Sequence, residues 1–271
     1  MNSLIKTQGK KVSDKRRTLI FLNINVSCIA TSVFATALAT AVPPIMDDLK
    51  VNINNVQWLN SGFFLFLSVM TPFTAFLIST IKTKLLYCSG VGIFIVGLII
   101  CAFSRHFWVM MIGRIIQSSG FGLLTSMAQV IILSIYPPNK VGVMMGWYGL
   151  SIGLAPIAAP TIAGIIVDTI GWRWIFIIST FIMGCSFIFA LFIFEDVLPT
   201  MNKKFDVISL ILSAITFGGI TLAAAKIGTD DFLSWTVAFP LFIGLFTGIF
   251  FVYRSSITYK GSLPRYSCTK E

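Results

Sequence analysis

The chain has 271 residues, of which 56% are hydrophobic and 11% charged, and it carries a formal net charge of +10. Charged residues make up about a quarter of a soluble domain, so a water-soluble fold is excluded and an integral membrane protein is indicated. The basic excess does not point to nucleic acid, because it sits in short segments between apolar runs and no groove-reading motif accompanies it.

Uncharged windows that can cross a bilayer, about 20 residues each, occupy 18–46, 51–81, 85–104, 115–139, 141–167, 174–194, 207–225 and 232–253. That predicts eight transmembrane helices. The tail 1–17 and the run behind it have the outline of a secretory signal, and Ala39-Thr40-Ala41 imitates a cleavage site. The run is too long for a signal core and seven more spans follow, so it reads as the first span. With the amino terminus in the cytoplasm, the inside segments hold fifteen Lys or Arg, and the outside ones hold only Lys50, Arg105, Arg173 and Lys226. The positive-inside rule then predicts a multi-pass protein with both termini cytoplasmic. Membrane lipid is the expected partner, with a weak attraction to its anionic headgroups from the basic excess.

In chain order, the first span ends at Pro43-Pro44, and Asp47 and Asp48 fall in the outside loop that follows. Trp58, Trp108, Trp172, Trp174 and Trp235 lie near span ends, where an indole anchors at the membrane interface. Arg105 and His106 open the fourth helix, and Arg114 lies roughly 12 Å deeper at 1.5 Å per residue. It is the one charge placed inside an apolar span, with Gln117, Phe121 and Thr125 on its face. A cation in hydrocarbon must serve something or be held by something. Two readings stay open: a polar lining that couples proton and substrate, or a structural cation capping backbone carbonyls of the first helix.

Pro137, Pro138, Asn139 and Lys140 form the turn to the fifth span. There Gly142, Gly146, Gly149, Gly153, Pro156, Pro160 and Gly164 recur at steps of four or three, a stripe almost without side-chain bulk. Another helix can approach it at backbone distance. Asp168 ends this span as a solvated charge, and Trp172-Arg173-Trp174-Ile175-Phe176 opens the next. A charged interruption, residues 195–206, separates the residues 18–194 from two further spans in 207–253, and 254–271 is a short polar tail. Cys28, Cys88, Cys101, Cys185 and Cys268 are scattered without a CxxC pair, so no metal, disulfide or cofactor is expected. One His, at a span end, and no acid within a span leave an intramembrane enzyme without its chemistry.

Three motifs together resemble the major facilitator superfamily, in its fourteen-span drug:proton antiporter branch and the lincomycin-resistance-type subgroup. They are Arg114, Gln117, Ser118 and Gly120 in the fourth span; Gly153, Pro156, Pro160 and Gly164 in the fifth; and the Trp172–Phe176 segment. The resemblance implies an all-α membrane fold, a six-helix amino-terminal bundle (18–194) plus two additional transmembrane helices. It also implies export of drugs or amphipathic compounds from the plasma membrane, coupled to protons. Arg114, Gln117, Phe121, Thr125 and Thr36 would line the substrate and proton pathway, and Gly146, Gly149, Gly153, Pro156, Pro160 and Gly164 would form the antiporter packing motif.

Departures from the family pattern are equally specific. Phe34 stands where many exporters of this branch carry a first-helix Asp, and Ala39 replaces an Asn, while Thr36 and Pro43 match. That favours uncharged, bulky substrates over cationic dyes. In the loop before the third span, Ser79 replaces the family Asp and Thr83 the second Gly, with Leu77, Lys82 and Lys84 kept. The resembling families continue with a second six-helix half. A lone front half is therefore expected to transport only as a homo-oligomer or with a missing second half, the alternative being a non-transporting remnant or accessory membrane subunit.

Overall fold

The computed structural model describes residues 13–198, 207–227 and 234–262. The sequence-predicted tail segments 1–12 and 263–271 with Cys268, the linker residues 199–206, and the turn 228–233 lie outside them. All regular structure among the described residues is helical, as hydrocarbon demands of a chain that must satisfy its own backbone groups. The helices are α1 (Asp14–Thr40), α2 (Val42–Leu49), α3 (Ile53–Thr80), α4 (Thr83–Ala102), α5 (Phe107–Ile135), α6 (Pro138–Ile170), α7 (Arg173–Ile193), α8 (Val207–Ile227) and α9 (Trp235–Ser262). Eight of them are long and apolar enough to cross a membrane, which is the number of predicted spans.

Two boundaries differ from the sequence reading. The window 18–46 is not one helix: α1 stops at Thr40, and Pro43 and Pro44 fall in the first turn of the separate eight-residue α2. A Pro lacks the N–H that a continuing helix needs but costs nothing in a first turn. Lys50 closes α2 in the left-handed region at φ 52°. At the other end, α9 runs on through Arg254 to Ser262, past the predicted limit at 253.

The described residues form two compact units, one within 13–198 and one within 207–262. In the first, α3 packs on α5, α5 on α4, α4 on α7, α7 on α1 and α1 on α6, with α1 also touching α5. The α4–α5 seam is the tightest. A Cβ added at Gly97 would stand 2.7 Å from the Gly113 carbonyl oxygen, and one at Gly120 2.7 Å from the Gly90 carbonyl oxygen. These antiparallel pairs bring backbones together one heptad apart, which only glycine allows.

The predicted bare stripe on α6 behaves otherwise. A Cβ at Gly142, Gly146, Gly149 or Gly153 would meet nothing within 4 Å, and one at Gly164 would reach only Thr40 Cγ2 at 4.0 Å. Pro156 is half-buried and Pro160 exposed. The helix instead meets α1 through the adjacent face, where Tyr148, Ala155, Ala159 and Ala163 are buried. The close approach expected on the Gly/Pro stripe is therefore not made by any described residue of this chain.

The ends of the bundle are tied by residues that composition assigned to other roles. Trp172 is 5% exposed and packs edge-on against Phe176, so it is a core residue and not an interface anchor. Arg173 lies over the Trp172 ring at 4.2 Å, pairs with Asp48 of α2 and donates to the Ser104 carbonyl at 3.1 Å. At the opposite end, residues 195–198 of the predicted linker are part of the bundle: Arg16 pairs with Glu195, the Lys84 N–H donates to Asp196 at 3.2 Å and the Leu198 N–H to Thr83 Oγ1 at 3.1 Å. Asp196 thus places a carboxylate at the first turn of α4.

The second unit is the α8–α9 pair. It closes on Gly219, whose added Cβ would lie 2.8 Å from the Pro240 carbonyl oxygen, and on a 3.1 Å hydrogen bond from Thr216 to Thr247.

Candidate functional site

The Arg114 side chain is fully buried, one of the largest such groups in the chain. Its place on α5 follows from the apolar length of that helix, which carries it past the interface into hydrocarbon. Three oxygens receive it. Nε donates to the Leu59 carbonyl at 3.2 Å, Nη1 to Gln117 Oε1 at 3.0 Å and Nη2 to Asn60 Oδ1 at 3.3 Å. The guanidinium carbon also stands 4.2 Å from the centre of the Phe63 ring and 5.5 Å from that of Phe34. The carbonyl it caps belongs to α3, not to the first helix as the structural alternative expected; the first helix contributes the Phe34 ring.

The electrostatics follow from what surrounds it. The described carboxylates, Asp14, Asp47, Asp48, Asp168, Glu195 and Asp196, lie at or beyond helix ends. The cation is held by amide dipoles and two aromatic faces in place of a counter-ion, a planar fork being the group suited to that arrangement. Phe34, at the position where the resemblance led one to expect an acid, is in this ring of contacts. It packs in turn edge-on against Phe94 and Phe176.

The other predicted site residues are distributed as follows. Gln117 is fully buried and its Nε2 has no hydrogen-bond partner. Phe121, one turn further on, is half-buried with its ring 5.7 Å from Phe63, so it extends the aromatic wall. Thr125 is half-buried; its hydroxyl donates to the Phe121 carbonyl at 2.9 Å, and its own carbonyl accepts from Tyr148 of α6 at 3.4 Å. Thr36 is half-buried and bonds within α1, to the Ser32 carbonyl at 3.1 Å. The structure thus joins Arg114, Gln117 and Phe121 around Phe63, links Thr125 to α6, and leaves Thr36 bonded to its own helix. Leu59, Asn60, Phe34 and Phe63 were missed. Of these, Asn60 carried a signal as an amide inside an apolar run, and Phe34 as the residue at the position of the family's first-helix acid.

A second polar cluster was also missed. Asn23 donates to the Ser186 carbonyl and hydroxyl, both at 3.0 Å. Tyr87 donates toward Asn23 Oδ1 at 3.1 Å and Ser27 Oγ at 3.0 Å, and Ser27 and Ser186 share a 2.6 Å hydrogen bond. The step of four from Asn23 through Ser27 to Thr31 was its mark in the sequence. This cluster joins α1, α4 and α7 and is internally satisfied. Tyr87→Phe is expected to cost about 0.6–2 kcal/mol, read as a lower unfolding temperature in detergent with unchanged helix content.

The Major Facilitator Superfamily model matches residues 21–259. The chain belongs to the major facilitator superfamily. It is 34% identical over 219 residues to the uncharacterized MFS-type transporter YcnB of Bacillus subtilis, covering 81% of this chain and 46% of that one. It is 31% identical over 253 residues to the lincomycin resistance protein LmrB of the same organism, covering 93% and 53%. It is 27% identical over 230 residues to the riboflavin transporter RibZ of Clostridioides difficile, covering 84% and 50%. The chain spans about half the length of these major facilitator relatives. Within the family frame, α1 and α3–α7 form a six-helix bundle and α8–α9 a separate pair.

Proposed function

We propose that this chain forms the substrate-binding front half of a proton-coupled exporter of drug-like, amphipathic compounds in the plasma membrane, with both termini cytoplasmic. The observation that carries this reading is the buried Arg114, held by Leu59, Asn60 and Gln117 with no carboxylate among its contacts with the described residues. An intramembrane cation that no ion pair neutralises favours neutral or anionic groups nearby and repels cations. Uncharged bulky substrates of the lincosamide kind fit that field, and the likeness to lincomycin resistance proteins agrees with it. Arg114 and Gln117 would couple proton to substrate, with Phe121, Thr125 and Thr36 along the same pathway.

The antiporter stripe Gly146, Gly149, Gly153, Pro156, Pro160 and Gly164 would seat a helix of the second half, whether that half belongs to a longer parent chain, a homo-oligomer or another subunit. Alternating access rocks two such halves about a midplane site. The uncovered state of that stripe supports an equally specific second reading, a non-transporting accessory subunit.

Expression of the chain alone in a pump-deficient bacterium separates the two. The exporter reading expects raised lincosamide tolerance that a protonophore abolishes, with little change toward cationic dyes. No tolerance from the wild-type chain selects the accessory role. Phe34→Asp, which brings a carboxylate toward Arg114, is expected to shift any tolerance toward cationic dyes.

A further inference from the structure

We propose that the seam between α1 and α7 is a binding site for one acyl chain of an anionic phospholipid, with Lys15 as the contact for its headgroup. A cleft of about 460 Å³ lies there, walled by Leu19, Leu22, Val26, Phe181, Ile182 and Phe189. Its floor includes Asn23 and Ser186, whose polar atoms are spent on each other and on Ser27 and Tyr87. An occupant therefore finds apolar walls and, besides the weakly polar thiol of Cys185, no uncommitted side-chain donor, which suits a hydrocarbon chain better than a polar ligand.

At Val26 and Ile182 this cleft meets a second one of about 310 Å³ between α1, α6 and α7. The seam runs from Leu19 to Ala37 on α1, roughly 27 Å at 1.5 Å per residue, close to the full hydrocarbon thickness of about 30 Å.

Charge decides the headgroup. Lys15 sits in the first turn of α1, four residues before Leu19, seven before Leu22 and eleven before Val26, so it lies on the face that lines the cleft. It is exposed and makes no ion pair among the described residues. Arg16 is committed to Glu195 and the Ile193 carbonyl, and Arg17 to Asp14. Among the described residues of this turn, Lys15 is therefore the cation left for a phosphate and its extra negative charge. A flat helix surface touches an acyl chain on one side, whereas this cleft holds it from two helices, so the lipid should survive detergent washing.

The test uses the full chain in mild detergent, offered equal amounts of palmitoyl-oleoyl phosphatidylglycerol and phosphatidylcholine and weighed by native mass spectrometry. One retained lipid per chain is expected, with about a fivefold preference for phosphatidylglycerol, the ratio that one lysine near an anionic headgroup supplies. Lys15→Gln, an exposed change that leaves the fold alone, should bring the ratio near one while lipid is still held. Val26→Trp, which fills the junction of the two clefts, should remove lipid of both kinds. No retained lipid, equal retention by the wild type, a preference that survives Lys15→Gln, retention that survives Val26→Trp in a folded variant, or a second protein chain in place of lipid would each overturn the proposal.

Discussion

Arg114→Ala is expected to abolish any drug tolerance the chain confers and to destabilise the bundle by about 2–4 kcal/mol. The stability loss has two sources. Gln117 Oε1 loses its donor at a site where water does not replace it, at about 1–3 kcal/mol for a buried unsatisfied group. The Phe34 and Phe63 faces also lose a desolvated cation, about 2 kcal/mol at most. Against this stands the relief of a buried charge, which lowers the sum. Arg114→Met separates the two roles, because it refills the volume while removing the charge. Its stability should fall by only about 1–2 kcal/mol, since half-buried Asn60 can find other partners. Tolerance, however, should be lost as completely as in the Ala variant. Export retained by Arg114→Met, with unfolding temperature and drug susceptibility measured on the same preparations, would reduce the guanidinium to a structural brace.

Gly120→Val is expected to disrupt the first unit, while Gly149→Val leaves it folded. A Cβ at position 120 would meet the Gly90 carbonyl oxygen and the Phe94 nitrogen, both at 2.7 Å, and the Phe94 Cβ at 2.9 Å. These are backbone atoms or sit next to the backbone, so α4 and α5 must separate, and the two further methyls of Val widen the gap. Overpacking of this kind typically costs 1–3 kcal/mol and more where backbone must move. With Gly97 and Gly113 sharing the same seam, a loss of about 3 kcal/mol or more is expected.

At position 149 the added group enters open space. Its effect on stability should stay within about 0.5 kcal/mol. If the α6 stripe seats a second half, Gly149→Val should instead weaken that association, seen as a lower oligomer fraction in detergent. Equal thermal stability of the two variants would contradict the packing described for α4 and α5.

The sequence made these two glycine sets hard to tell apart. Gly142 through Gly164 form a longer and more regular small-residue stripe than Gly90 and Gly97 opposite Gly113 and Gly120, so periodicity alone favoured α6 as the tight interface. Periodicity states which residues share a face and not what lies opposite. The face of α6 that meets α1 is the neighbouring one, with Ala155, Ala159 and Ala163, equally small and one residue out of phase. Trp172 shows the same limit. Its place at a span end was legible, but its burial in the hydrophobic core is set by the helices that α7 packs against, α4 and α1.

The amino-acid sequence by itself determined the membrane class, the number of spans, the family and the place of Arg114 within an apolar helix. Each of these depends on apolar length and spacing along one chain, and the bilayer converts such lengths directly into helices. Only the tertiary structure decided that Arg114 is received by Leu59, Asn60 and Phe63 of α3 and faces Phe34, that α4 and α5 make the closest helix contact, and that Asp196 reaches back to the first turn of α4. These partners are 55, 54, 80 and 112 residues apart or are set by which helix lies next to which. In hydrocarbon that choice falls to shape and to polar groups that must find each other, and no local pattern encodes it.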